Sequence, residues 1–262
     1  RIHELEGALG AKLFVREGPR IRLTAQGRAL VESARALLVA SSDISNQFRN
    51  GMPLKGTLRL GVPYIFGRLC MTEFLGELSH RHPLLKTSLV VADSGTMTAK
   101  LQAHELDMAI LLQPDPALKV QRMDLGRVRL SWFCGDKVRL PASLSPQELA
   151  AHHLIFSSHP SRLHSTITGW LDASGVQPMQ FSTCNDPSVL VDVAASGQAI
   201  GALPLRVIDG ALETGRIKRV HTRPDLPLLE AAVCYQDGAL GAGVEEVAIL
   251  IRELSGRRRL FE

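Results

Sequence analysis

The sequence predicts an α/β protein of two similar lobes, preceded by a small basic unit and one long helix. Three observations predict it. From residue 57 onward, short runs rich in Val, Ile and Leu alternate with segments whose apolar residues recur at helical spacing, the texture of βα units. That alternation runs through twice, in sets of about 90 residues. The opening stretch has a different texture, basic and helical with turn signals. With 262 residues, 45% of them hydrophobic and 21% charged, the chain can bury a core in each lobe and is too apolar to be disordered. No apolar run approaches the ~18–20 residues of a membrane span.

Ile2, Leu5, Leu9 and Leu13 step by three, four and four, which gives one apolar helical stripe. Gly10 interrupts it, and Gly18-Pro19 marks a turn. Ile21 and Leu23 alternate with Arg20 and Arg22, a short strand with apolar side chains inward and cations outward. Thr24 is placed to N-cap a helix running to about Asn50, stopped by Gly51 and Pro53. Along that helix Leu30, Ala34, Leu37, Ser41, Ile44 and Phe48 form a heptad-like seam, which reads as a connector that either self-associates, the preferred reading, or lies on a neighbour. Residues 51–56 form a linker.

Strands are expected at 57–62, 87–92 and 107–112, with helices at 68–80 and 96–104 between them, so the first sheet should be mostly parallel. Residues 127–135 add one strand. The second set has helices at 145–152, 161–173, 187–196 and 205–212, and strands at 154–158, 179–183, 199–203 and 216–220. A strand at 229–235 and a helix at 244–254 close the chain. Two such lobes suggest a binding fold with its ligand in the cleft between them, beyond the carboxyl ends of the strands.

The net charge is +4, and residues 1–28 supply +3 of it, with six basic side chains against three acidic. A basic hairpin there suits phosphate contact, as in a winged DNA-binding unit, although a small solvated hairpin has the same pattern. The four cysteines lie far apart with no C-x-x-C pair, which excludes a zinc ribbon and points to a reducing cytosol. The charged, amphipathic start is not a signal peptide. Opening without Met inside an apparent helix, the chain is expected to be a fragment.

Over residues 4–37 the chain closely resembles the LysR-type transcriptional regulators. The residues that carry the resemblance are Leu5-Glu6, Leu9-Gly10, Leu13-Phe14, Arg16, Leu23-Thr24 and Gly27. Segments 56–62, 105–111, 131–135 and 195–204 sit where the family's effector domain carries similar ones. The resemblance implies that residues 1–23 are the remnant of a winged helix-turn-helix, with Arg1, Arg16, Arg20 and Arg22 toward DNA. It implies a linker helix and hinge at 24–56, dimerising through Leu30, Ala34, Leu37, Ile44 and Phe48. A bilobal, periplasmic-binding-protein-like effector domain would follow, lobe I at 57–137 with 233–262 and lobe II at 138–232. The protein so implied is a cytoplasmic homodimer or homotetramer that binds promoter DNA when intact and works with RNA polymerase. It would answer to a small anionic organic effector such as a carboxylate, without cofactor, metal, membrane or catalysis. Most base-reading positions would lie ahead of residue 1, so this chain alone is not expected to bind DNA specifically.

The cleft is expected to be lined by loops at strand ends. After the first strand come Tyr64, with a hydroxyl to present, and Phe66, with a ring for an apolar ligand body. After the second come Ser94 and Thr96, either of which can simply cap the helix that follows. In the second lobe the matching residues are Phe156, Ser157, Asn185 and Asp186, the last also a candidate cap. Helix N-termini facing the cleft from both lobes favour an anion. Other features have plainer readings. His152, His153, His159 and His164 are surface or capping residues, and Cys184 has no other cysteine within 49 residues to resolve it. Residues 238–243 make a loose loop, and Arg257-Arg258-Arg259 a cation cluster or frayed tail. A serine hydrolase would want G-x-S-x-G, which is absent. A stand-alone solute-binding protein is the alternative.

Overall fold

The computed structural model describes residues 2–17, 20–34, 37, 54–236 and 243–262, with Arg16, Glu17 and Arg20 as backbone only. The chain forms two compact units, residues 1–52 with 237–244, and residues 53–236 with 245–262.

The first unit contains α1 (Ile2–Leu9), the antiparallel hairpin β1 (Phe14–Glu17) and β2 (Arg20–Leu23), and α2 (25–34). A buried carboxylate, not the expected apolar stripe, organises it. Glu6 accepts the backbone N–H of Leu13 at 2.8 Å and of Phe14 at 3.3 Å, and the Lys12 ammonium at 2.9 Å. It thereby ties α1 to the start of β1. Of the stripe only Leu13 is buried, and it lies beyond the helix. Ile2, Leu5 and Leu9 stay exposed, because Glu6 occupies the one covered position of this short helix. Ile21, expected inward, is also exposed; it stands nearer the hairpin tip than Leu23, which is half-buried.

Thr24 joins the hairpin to α2. Its Oγ1 accepts Gly27 N–H at 2.9 Å and donates to the Lys12 carbonyl at 2.6 Å. A Cβ on Gly27 would lie 2.1 Å from the Leu13 carbonyl oxygen, so only glycine allows this approach. Leu30 is half-buried, while Ala34 and Leu37 are exposed. Arg1, Ser41, Ile44, Phe48, the helix stop at 51–53 and most of the 238–243 loop lie outside the described residues.

The second unit contains two five-stranded sheets. In the first, β3 (Lys55–Val62) pairs parallel with β4 (Leu84–Val91) and β5 (Met108–Leu112), and β12 (Leu229–Tyr235) pairs antiparallel with β5 and β6 (Gln121–Val128). In the second, β8 (His153–Phe156) pairs parallel with β9 (Gln180–Thr183) and β10 (Ile200–Pro204). There β7 (Leu130–Gly135) pairs antiparallel with β10 and β11 (Ile217–Val220). Neither sheet is mostly parallel: each combines two parallel and two antiparallel pairings. The antiparallel strands are the ones that carry the chain between lobes.

Those crossings fall at Arg129 and at residues 221–228. The single strand expected at 127–135 is therefore two strands in two sheets. Residues 130–135, expected in lobe I, belong to the second sheet, and 229–232, expected in lobe II, to the first. Val128-Arg129-Leu130 continues a strand-like alternation with no Gly or Pro, so a one-residue crossover leaves no local mark.

Helices pack on both sheets: α3 (Tyr64–Leu69), α4 (Met71–Arg81), α5 (Ser94–Gln102), α6 (Pro146–Ala150), α7 (Arg162–Ala173), α8 (Pro187–Ala195), α9 (Leu205–Glu213) and α10 (Gly243–Arg257). The helix expected at 68–80 is two, broken at Cys70, which ends α3 by donating its N–H to Phe66. The central strand β5, Met-Ala-Ile-Leu-Leu, is buried throughout, as a strand covered on both faces must be. In the second lobe Trp132 and Trp170 lie 6.0 Å apart, and Trp170 Nε1 donates to the Asp225 carbonyl. The terminal arginines are not frayed: Arg257 and Arg258 bond Glu73 of α4 at 3.0 and 2.9 Å. Among the described residues no helix is long and apolar enough to cross a membrane.

Candidate functional site

A cavity of about 610 Å³ opens between the two lobes, where the strand ends of both sheets meet. That is ample for a small organic molecule, since ligand sites span roughly 300–1,000 Å³. Tyr64, Ser94 and Thr96 line it from the first lobe, and Ser157, Asn185 and Asp186 from the second. Phe66 and Phe156 do not. Phe66 is fully buried edge-on to Phe74, and Phe156 is stacked on Phe181 at 5.6 Å beneath the cavity wall. Both rings occupy inward positions of their elements, so they support the walls without facing the space.

The polar groups have definite partners. Asp93, not Ser94 or Thr96, caps α5, with its Oδ1 accepting Thr96 N–H at 3.0 Å and its Oδ2 the Thr96 hydroxyl at 2.7 Å. Ser94 is buried, and its Oγ accepts the N–H of Leu112, fixing α5 to the end of β5. Asp186 caps α8, accepting from Ser188 N–H at 2.7 Å and Val189 N–H at 3.3 Å. The helix N-termini expected to attract an anion are thus occupied by the protein's own carboxylates. Arg162, at the start of α7, lines the same cavity, and its guanidinium has no hydrogen-bond or carboxylate partner among the described residues.

Two contacts join the lobes around this space. The Tyr64 and Ser188 hydroxyls are 3.0 Å apart. On the α5 side Gly95 lies so close to Pro160 that a Cβ there would be 2.4 Å from the Pro160 carbonyl oxygen.

Residues 52–255 match the LysR substrate binding domain family. The chain belongs to the LysR family. It is 30% identical over 168 residues to the HTH-type transcriptional regulator EstR of Acinetobacter baylyi, covering 63% of this chain and 56% of EstR. It is 29% identical over 242 residues to the SDS degradation transcriptional activation protein of a Pseudomonas species, covering 86% and 75%. The chain thus spans little more than half the length of EstR. Its fold is similar to full-length OxyR from Pseudomonas aeruginosa, with a TM-score of 0.77 and 19% identity across 97% of this chain and 83% of that one. The effector binding domain of QuiR in complex with shikimate matches at 0.65 and 15% identity, across 79% and 100%.

In this LysR chain, sequence reasoning missed Arg162, Asp93 and Gly95. Asp93 carried a usable signal, an Asp three residues ahead of Thr96 at a helix start. Arg162 lies five residues beyond Ser157, further than a strand-end rule reaches. Of the second lobe's histidines, His153 pairs with the Ser182 hydroxyl and His164 with the Ser157 carbonyl, both at 2.9 Å, while His152 is exposed and His159, also exposed, lines the cavity. Burial pushes the Cys70 and Cys234 thiols up to about 11. Cys184 exchanges its contacts with the backbone of Asp186.

Proposed function

We propose that this chain is the effector-sensing part of a transcriptional regulator, with the interlobe cavity as its sensor. The observation that carries the reading is the convergence, in one cavity between two lobes, of a partnerless guanidinium with hydroxyl and carboxylate groups. Arg162 is the anion-reading group, taking over the role that the aspartate-capped helix ends cannot fill. Asp93 and Asp186 retain lone pairs beyond their capping bonds, which suit hydroxyl donors on the ligand. Ile65, Leu112 and Leu203 offer apolar surface for its body. The effector class is therefore a small hydroxylated carboxylic acid, and the shikimate held by QuiR has that chemistry.

The other assignments belong to the same reading. The effector residues are Tyr64, Ser94, Thr96, Ser157, Asn185 and Asp186, with Arg162 added. Lobe I comprises β3 to β6 with β12, and lobe II comprises β7 to β11. Arg1, Arg16, Arg20 and Arg22 serve DNA, and the exposed Ala34 and Leu37 extend a seam that a second copy covers. Action in the cytoplasm with RNA polymerase completes the scheme, with no catalytic step.

Two titrations test it. Fluorescence anisotropy of the full gene product against its own upstream DNA should show binding tighter than to scrambled DNA at several salt concentrations. Sequence-blind, salt-sensitive binding alone would reject a regulator of that promoter. Calorimetry with shikimate and related hydroxy acids should give binding that Arg162→Gln weakens about tenfold or more, the usual scale for a lost charged hydrogen bond. Unchanged affinity in that variant would remove Arg162 from the site.

A further inference from the structure

A second cleft adjoins the first. It measures about 430 Å³ and is bounded by α3 of the first lobe and by α8, α9 and the turn leading into β11 of the second. The two spaces share Tyr64, Pro187 and Val207, and the Tyr64–Ser188 hydrogen bond stands where they meet. Their charges differ in sign. The first has Asp93 and Asp186 against Arg162, whereas the second has Arg68 and Arg216 against Asp192 alone.

Each arginine of the second cleft comes from a different lobe. Arg216 is held at 2.7 Å by Asp192, which fixes its guanidinium and leaves further N–H groups to donate. Arg68 is exposed and has no hydrogen-bond or carboxylate partner among the described residues. Val191, Val207 and Ala211 add an apolar wall. A bare inorganic ion would leave most of this volume and the whole apolar wall unused. An organic anion uses all three features.

We propose that this cleft is a second binding site, for a small organic anion whose charged group bridges Arg68 and Arg216. Bridging these arginines holds the lobes together beside the Tyr64–Ser188 bond, so occupancy of this cleft favours the same closed arrangement that encloses a ligand in the first cavity. By linkage, each site then raises the affinity of the other.

The test uses 4-fluorobenzoate, titrated into the chain and followed by fluorine NMR. The wild type should bind at a site that Arg68→Gln and Arg216→Gln each weaken about tenfold. Arg162→Gln should leave that site within about twofold. Both outer arginines are on the surface, so thermal midpoints of the two variants should match the wild type and separate binding from folding. Affinity unchanged in both variants, or no fluorobenzoate bound other than through Arg162, would overturn the second site. The Arg162→Gln arm reads the first cavity independently, so the two assignments fail separately.

Discussion

Glu6 is the residue on which the first unit depends most directly. The Lys12 hydrogen bond, and next the Leu13 N–H, hold its carboxyl well below the ordinary 4.5, at about 2. A depressed carboxyl favours the folded form when ionised. Its contribution is complete above about pH 4.5 and is lost as the pH falls toward 2. Protection of the Leu13 and Phe14 amides, measured against their intrinsic exchange rates, should therefore fall over that interval in the wild type. In Glu6→Gln that protection should be low already at neutral pH and flat through the same range. A wild-type profile without an acid transition would mean that Glu6 does not anchor the hairpin. No periodicity rule finds such a residue, because an acidic side chain inside a helical stripe reads as solvated. The same limit acts at the cavity. Tyr64, Ser94 and Asn185 were legible because polar residues just past a strand end have few other places to go. Phe66 and Phe156 were misread because spacing cannot distinguish a ring facing the cleft from one facing the core a turn or a pleat away.

At the scale of elements, most strands and helices of the second unit were legible, since each is short, apolar at the expected period and bounded by turn residues. What escaped was how they join. β6 and β7 merge in sequence because Arg129 alone separates them, and sheet membership depends on pairing with β12 and β10, far along the chain. The start of α5 shows how tightly an element can be fitted to the opposite lobe. Any side chain at Gly95 meets Pro160 across the cleft, where only 2.4 Å separates the Cβ position from a carbonyl oxygen. Gly95→Ala should hold the lobes apart at that edge. Effector affinity should drop about tenfold or more, while the thermal midpoint moves by only about 2 °C, because neither Gly95 nor Pro160 belongs to the apolar cluster that the lobes share. Small-angle scattering should show the variant failing to compact on adding ligand. Compaction and affinity like the wild type would mean that Pro160 yields freely.

At the scale of the second unit, the two lobes share an apolar cluster in which Leu112, Val128, Leu229 and Ala231 of the first sheet meet Trp132, Phe156 and Val220 of the second, and the crossover at Arg129 runs between two of its members, Val128 and Leu130. Glu262 secures it. Its carboxylate accepts Arg129 Nε and Nη2 at 2.9 and 2.8 Å, and its backbone exchanges hydrogen bonds with Arg127 at 2.9 and 2.8 Å. β6 is the edge strand of its sheet, so this last residue covers an otherwise open edge directly before the chain changes lobe. Gly126 makes room for it: a Cβ there would lie 2.6 Å from the Glu262 carbonyl oxygen. An exposed ion pair adds little to global stability, so the strap should matter for local opening and not for the melting point. Deleting Glu262 alone, which leaves the buried Leu260 and the core-packed Phe261 in place, should therefore speed exchange of the Arg127 amide about tenfold or more, and leave Ile110, in the fully buried β5, unchanged. Effector affinity should weaken with it, because a looser crossover leaves more of the population open and ligand must select the closed fraction. If Arg127 exchanges at the same rate in the shortened chain, the crossover is held by β12 alone and the strap has no part in closure.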